Sequence, residues 1–211
     1  MKPLVVPSIL VKNKTQLNKQ TNSIKNKIKL IQVDIIDNKF AKGKTIKLDQ
    51  LKDIKNFNYE IHLMVKDPEN YIQICKKLKS KIVIFHLEAT KDPLDLIKEI
   101  KKQKMKVGIA LNPQTKPEKV KPFINKVDQI LVMTVHPGKQ GQKFIKPMLK
   151  KIKKLRSWNK NIDIEVDGGI NYKTIKESYK SGANKFVIGS LMFKNKQPLK
   201  VYKELNKLLK R

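Results

Sequence analysis

The chain has 211 residues, 39% of them hydrophobic, and a formal net charge of +30; that length suits one domain, taken as residues 1–211, with one sizeable core. No apolar run approaches the ~20 residues needed to span a bilayer, and the single cysteine, Cys75, rules out an intrachain disulfide and suggests a reducing, cytoplasmic setting. The charge is nearly all lysine, spread over every predicted helix, with Arg156 and Arg211 the only arginines; base-edge readout leans on arginine, so no specific nucleic-acid partner is expected.

Along the chain one pattern recurs: a short apolar, β-branched run, then a lysine-rich amphipathic stretch. The start, Met1–Ser8, is broken by Pro3 and Pro7, reads as a strand rather than a signal peptide, and opens the first run. The predicted strands are Leu4–Leu10, Leu30–Asp37, Tyr59–Val65, Ile82–Ala89, Lys106–Asn112, Gln129–Val135, Ile162–Asp167 and Lys185–Ser190. Between them apolar residues recur at helical spacing, as in Leu94, Ile97 and Ile100, and finally Val201, Leu205 and Leu208. Near-continuous apolar strands alternating with helices indicate a parallel sheet covered by helices, and eight such units close into a (β/α)8 TIM barrel. An open doubly wound sheet is less suited, because no glycine-rich turn follows the first strand.

Active sites in such barrels lie at the C-terminal ends of the strands. The polar residues there are Ser8; Gln32, Asp34 and Asp37; His62; His86 and Glu88; Asn112; Thr134 and His136; Glu165 and Asp167; and Ser190. Residues two apart share a face of a strand, so Gln32 points with Asp34, and Glu165 with Asp167. Asp34 and Asp167 come from separated strands and could face each other across a substrate, as a two-base epimerisation requires. His62 would help them hold a divalent metal that stabilises an enediolate. A plain hydrogen-bond network at the barrel mouth is the alternative open at this point. Glycines in three late loops, Gly138 and Gly141, Gly168-Gly169 and Gly189-Ser190, would let backbone N–H groups approach a phosphate. His86 and Glu88 read equally well as groups orienting the site or as a satisfied pair in the core. Cys75, Trp158 and Tyr202 read as packing.

Seven segments occurring in order carry a family resemblance: Val6–Leu10, Val33–Asp37, Ile61–Met64, Phe85–Ala89, Gly108–Pro113, Met133–Gly138 and Glu165–Gly169. Together they resemble the ribulose-phosphate 3-epimerase family over almost the whole chain. The resemblance implies interconversion of D-ribulose 5-phosphate and D-xylulose 5-phosphate, a phosphorylated ketopentose substrate, and a homo-oligomer. It implies Asp34 and Asp167 as the acid/base pair, and Asp34, His62 and Asp167 as ligands of one divalent ion (Zn2+, Mn2+, Mg2+ or Fe2+). It also places Ser8, His62, Met64 and Met133 around the sugar, and Gly138, Lys139, Gln140, Gly141, Gly168, Gly169, Gly189 and Ser190 around the phosphate. A hexulose-6-phosphate 3-epimerase fits the same motifs nearly as well.

The sequence departs from the family in four places. A fourth metal ligand, a histidine, is Gln32 here; an amide oxygen suits harder ions better than zinc, so the metal is either kept with altered preference or lost, leaving a sugar-phosphate binder. The methionine between the two aspartates of the second strand is Ile36, and the glycine after them is Asn38. An aromatic-glycine pair after the sixth strand is Lys139-Gln140.

Overall fold

The computed structural model describes residues 2–210; Met1 and Arg211, the ends of the expected domain, lie outside the described residues. Eight parallel strands form a closed barrel in sequence order, β1 bonding both β2 and β8. They are β1 (Leu4–Ile9), β2 (Leu30–Ile36), β3 (Asn58–Met64), β4 (Ile82–His86), β5 (Lys106–Leu111), β6 (Gln129–Met133), β7 (Asp163–Asp167) and β8 (Lys185–Ile188). All eight predicted strands are present, several shortened at the C-terminal end. Leu87–Ala89 turns into a 3₁₀ segment, and Ser190 begins a short helix instead of closing β8.

The helical layer is less regular than eight strand–helix units. It comprises α1 (Lys14–Ile24), α2 (Ile72–Lys77), α3 (Pro93–Lys102), α4 (Met148–Trp158), α5 (Thr174–Lys180), α6 (Ser190–Phe193) and α7 (Pro198–Leu208). The β2–β3 and β5–β6 crossovers carry only the 3₁₀ segments Leu48–Asp53 and Pro117–Phe123. In the second, Pro117 and Pro122 remove two amide donors, and a proline inside an α-helix also clashes with the preceding turn. On α3 the spacing held with one shift: Leu96, Ile97 and Ile100 are buried, while Leu94 is exposed. No helix among the described residues is long and apolar enough to cross a membrane.

Strand periodicity divides the molecule into an apolar shell and a polar interior. On β2, Ile31, Val33 and Ile35 join the main hydrophobic cluster, and on β7 Ile164 and Val166 do so. The alternate residues, Gln32 and Asp34 on β2 and Glu165 and Asp167 on β7, project into the barrel with Glu60 and His62 of β3, as period two demands. Apolar interior packing comes mainly from Ile82, Ile84, Ala110, Leu131 and Met133. Gly108 leaves room there, since a Cβ on it would stand 2.8 Å from Ile84 Cγ1.

Low in the barrel lies a buried ionic cluster. Lys185 Nζ donates to Glu60 Oε1 and, at 2.5 Å, to Gln129 Oε1, and it lies 3.7 Å from Glu165 Oε1. Gln129 Nε2 in turn donates to Glu165 Oε2. Burial, then the Glu60 charge, raises Glu165 well above the usual glutamate range, against the pull of Lys185. Removing one partner from such a cluster strands the others. Lys185→Met is therefore expected to destabilise the protein by about 3–5 kcal/mol at neutral pH. Because the folded pKa of Glu165 is raised, its charge opposes folding increasingly as pH climbs above the ordinary 4.5. The deficit in urea unfolding should therefore shrink as pH falls toward 4.5.

Candidate active site

The C-terminal mouth of the barrel gathers four side chains from three strands. Asp34 and His62 are register partners on β2 and β3, which brings them side by side. Asp167 ends β7, separated from β2 by two intervening strands, β1 and β8, and Gln32 spans the gap. Its Nε2 donates to Asp34 Oδ1 and to Asp167 Oδ2, both at 2.8 Å. His62 Nδ1 lies 3.0 Å from Asp34 Oδ1 and 3.6 Å from Asp167 Oδ2. The remaining oxygen of Asp34, Oδ2, accepts from the Ser8 hydroxyl at 2.5 Å. Both aspartates are thus oriented from several directions.

A second chain of contacts runs back from the site. His62 Nε2 faces His86 Nε2 at 3.0 Å, the two rings stacking at 5.1 Å. His86 Nδ1 stands 3.5 Å from Glu88 Oε2, an electrostatic contact rather than a good hydrogen bond. Glu88 Oε1 accepts from the Asn112 amide at 2.9 Å and from the Thr115 hydroxyl. His86 and Glu88 are therefore joined to the site. Burial alone would lower the pKa of His62, but its hydrogen bonds to Asp167 and Asp34 outweigh that and hold it near 9. His86 is pushed down to about 4 by burial, the neighbouring charge of His62 adding to it. The shared hydrogen bond then has one direction: His62 donates through Nε2 and neutral His86 accepts. Burial also raises Asp167 above the usual aspartate value.

Asp34, His62 and Asp167 each offer a ligand atom, all within 4.8 Å of one another. Two carboxylate oxygens and an imidazole nitrogen form a donor set suited to a divalent cation. The fourth position is occupied by Gln32, whose Oε1 is buried without a hydrogen-bond partner, so an unused oxygen donor is at hand. The residues present fit a cation.

Above this group lies a cavity lined by Ser8, Asp34, Met64, Met133 and Asp167 and roofed by the late loops. Gly138, Lys139, Gln140 and Gly141 border it from the loop after β6, Gly168 and Gly169 from β7, and Gly189 and Ser190 from β8. Every residue expected around the sugar and phosphate therefore borders one space, except His62. His62 and Gln32 are fully buried beneath the cavity floor. Gly168 has φ +111°, and a Cβ on it would stand 2.2 Å from Val135 Cγ2, so the β6 and β7 ends touch only because it is glycine. The Thr134 hydroxyl locks the same corner, donating to the carbonyls of Asp167 at 2.9 Å and Gly168 at 2.5 Å. Asn38, in place of the family glycine, takes φ +62° and accepts from the Gly43 amide, so that departure is absorbed locally.

Some polar strand ends stay out of the site. Asp37 accepts from the backbone amides of Lys39, Phe40 and Lys66, holding the loop after β2. His136, by contrast, borders the cavity from the loop after β6, where it is exposed and meets Gln114. The sequence reading had no signal for the bond between the two histidine rings, nor for Leu10 and Val187 on the cavity wall, because both depend on how the barrel closes.

Residues 4–193 match the model of the ribulose-phosphate 3 epimerase family. A ribulose-phosphate 3-epimerase of Schizosaccharomyces pombe is 34% identical over 204 residues, spanning 93% of this chain and 90% of that protein. One from Buchnera aphidicola is 37% identical over 201 residues, covering 90% of this chain and 88% of the relative. Among solved structures, a 3-hexulose-6-phosphate synthase from Salmonella typhimurium superposes with a TM-score of 0.73 at 16% identity, over 99% of this chain and 98% of its own. That last likeness concerns the fold alone.

The histidine makes cation uptake pH-dependent. Below about 9, His62 carries the proton that a cation at Nδ1 must displace. Affinity of the metal-stripped protein should therefore rise with pH, approaching about tenfold per unit from this group, and level off near 9. Dissociation constants at three pH values between 6.5 and 8.5 check this; a flat profile would show that His62 Nδ1 is no ligand.

Proposed function

Because the chain belongs to the ribulose-phosphate 3-epimerase family, we propose that this cavity interconverts D-ribulose 5-phosphate and D-xylulose 5-phosphate by two-base proton transfer at C3. One observation carries the reading. Asp34 and Asp167 stand at the floor of the cavity that the glycine loops border, each held by neighbouring donors.

The residues divide the work as follows. One aspartate takes the C3 proton next to the C2 carbonyl, and the other returns a proton to the opposite face. The Ser8 hydroxyl and the Gln32 amide fix how Asp34 presents its oxygens. The raised pKa of Asp167 makes it a stronger base than a solvated aspartate, and a readier proton carrier near neutrality. A divalent cation held by Asp34, His62 and Asp167, with Gln32 as the fourth candidate, would supply Lewis-acid stabilisation of the charge that develops on the substrate oxygens. Met64 and Met133 line the floor and exclude water from the reacting carbons. Backbone amides of Gly138–Gly141, Gly168-Gly169 and Gly189-Ser190 would receive the phosphate, with Lys139 adding a positive charge.

An amide at position 32 favours Mn2+ or Mg2+ over Zn2+ or Fe2+, because the imidazole that a softer ion prefers is missing. A homo-oligomeric, cytoplasmic enzyme belongs to the same reading, on family grounds and on the lone buried Cys75.

Two measurements test the proposal. Metal-stripped protein given Zn2+, Mn2+, Mg2+ or Fe2+ singly should exchange the C3 proton of D-ribulose 5-phosphate with D2O, fastest with Mn2+ or Mg2+. Asp34→Asn and Asp167→Asn should each lower kcat at least ~100-fold with the fold intact by circular dichroism. Full activity in either variant would remove that aspartate from the chemistry.

A further inference from the structure

Gln32 sits between two layers of acceptors and serves only one of them. Above it, Nε2 reaches Asp34 and Asp167. On its other side Oε1 is buried and unpartnered, and the neighbouring position on β3 brings another acceptor. Glu60 is the register partner of Gln32 on β3, and its Oε2 is likewise buried without a partner. Glu165, two residues before Asp167 on the same face of β7, leaves Oε1 without a hydrogen bond. The amide thus directs its hydrogens upward while acceptors in the layer below go unserved.

A cation between Asp34, His62 and Asp167 reverses this preference. The N–H dipoles of Nε2 then point their positive ends at a positive ion, whereas Oε1 in the same place would donate a lone pair. At Nε2 that oxygen would stand 2.8 Å from each carboxylate oxygen, close to the edge of an octahedron with ~2.1 Å metal–oxygen bonds. The terminal torsion of a glutamine is broad and roughly two-fold, so the half-turn needs no backbone movement.

We infer that the Gln32 amide is a two-position group whose orientation is set by cation occupancy. Without a cation its NH2 cross-links the two carboxylates and keeps the site assembled. With one it turns over, Oε1 becomes a ligand, and the NH2 faces the Glu60 layer. This rests on the reading that the site holds a divalent ion. A further consequence is selectivity: a neutral oxygen donor narrows the advantage of Zn2+ over Mn2+ that a histidine would confer.

Calorimetric titration of Mn2+ and Zn2+ into the metal-stripped full chain tests this. Gln32→Met keeps the length but neither donates nor ligates through oxygen, and it should bind Mn2+ at least tenfold more weakly than wild type. Gln32→His should raise the ratio of Zn2+ to Mn2+ affinity. Should Gln32→Met fold poorly, Gln32→Glu decides, because it keeps the oxygen and loses the NH2. It should bind Mn2+ at least as tightly as wild type while melting lower without metal, three carboxylates then converging with only Ser8 and His62 as donors. Equal or tighter Mn2+ binding by Gln32→Met would overturn the inference alone, since the amide would then only compete with the ion. Unchanged metal-free melting of Gln32→Glu, with weaker Mn2+ binding, would do the same. If the wild type binds neither ion, the cation reading falls and takes this inference with it.

Discussion

A carboxylate inside a closed barrel has no water to turn to, and most of this molecule's interior is arranged around that constraint. Four carboxylates project inward, Glu60 and Glu165 low in the barrel and Asp34 and Asp167 at its mouth. One lysine, Lys185, serves the lower pair. The upper pair has Ser8, Gln32 and His62. Leaving a buried charge unpaired is far more expensive than any single apolar contact is favourable, so the partners are as much part of the fold as the isoleucines of the shell. The two layers also sense each other: Asp167 raises the pKa of Glu165, and His62 lowers it.

Chemistry at the mouth follows from the same scarcity of partners. Asp34 is approached by a hydroxyl, an amide and an imidazole, which leaves its carboxylate little freedom to rotate and presents it in one orientation. His62 is steered from behind. Neutral His86 accepts from Nε2, so Nδ1 is the atom that faces the carboxylates, and the imidazole has one usable ligand nitrogen. Orienting the side chains in advance is what proton transfer between fixed positions needs, since a base that must first reorganise forfeits part of its advantage.

Much of this was legible in the sequence, for a reason that also marks its limit. Strand periodicity is local, so the inward set Gln32, Asp34, His62, Glu165 and Asp167 could be read directly once the eight runs were recognised. The glycines of the late loops were equally plain. What could not be read was anything that crosses the barrel. Lys185 looked like the polar start of a strand, yet it reaches Glu60, 125 residues away in the chain. Gln32 was legible as a departure from a family pattern, but its bond to Asp167 spans 135 residues and exists only because the ring closes. The helical layer was misread in two crossovers for a different reason. Lysine-rich amphipathic spacing signals a buried stripe without saying whether the backbone behind it is α or 3₁₀, and only Pro117 and Pro122 hinted at the latter.

The overall charge of +30 takes on a definite meaning against this interior. The excess of lysine lies on the outer helices and the loops between elements, while the barrel axis carries more carboxylates than cations. On the proposed function a divalent ion and a phosphate would seek different parts of one cavity: the ion the inward carboxylates, the phosphate the backbone amides of the glycine loops under a positive envelope. An envelope of that sign raises the local concentration of an anionic substrate and speeds its arrival, an effect that salt screens. It does not tell one sugar phosphate from another. On the same proposal discrimination would come from the cavity lining, where Met64, Met133 and the two aspartates would meet the carbon skeleton.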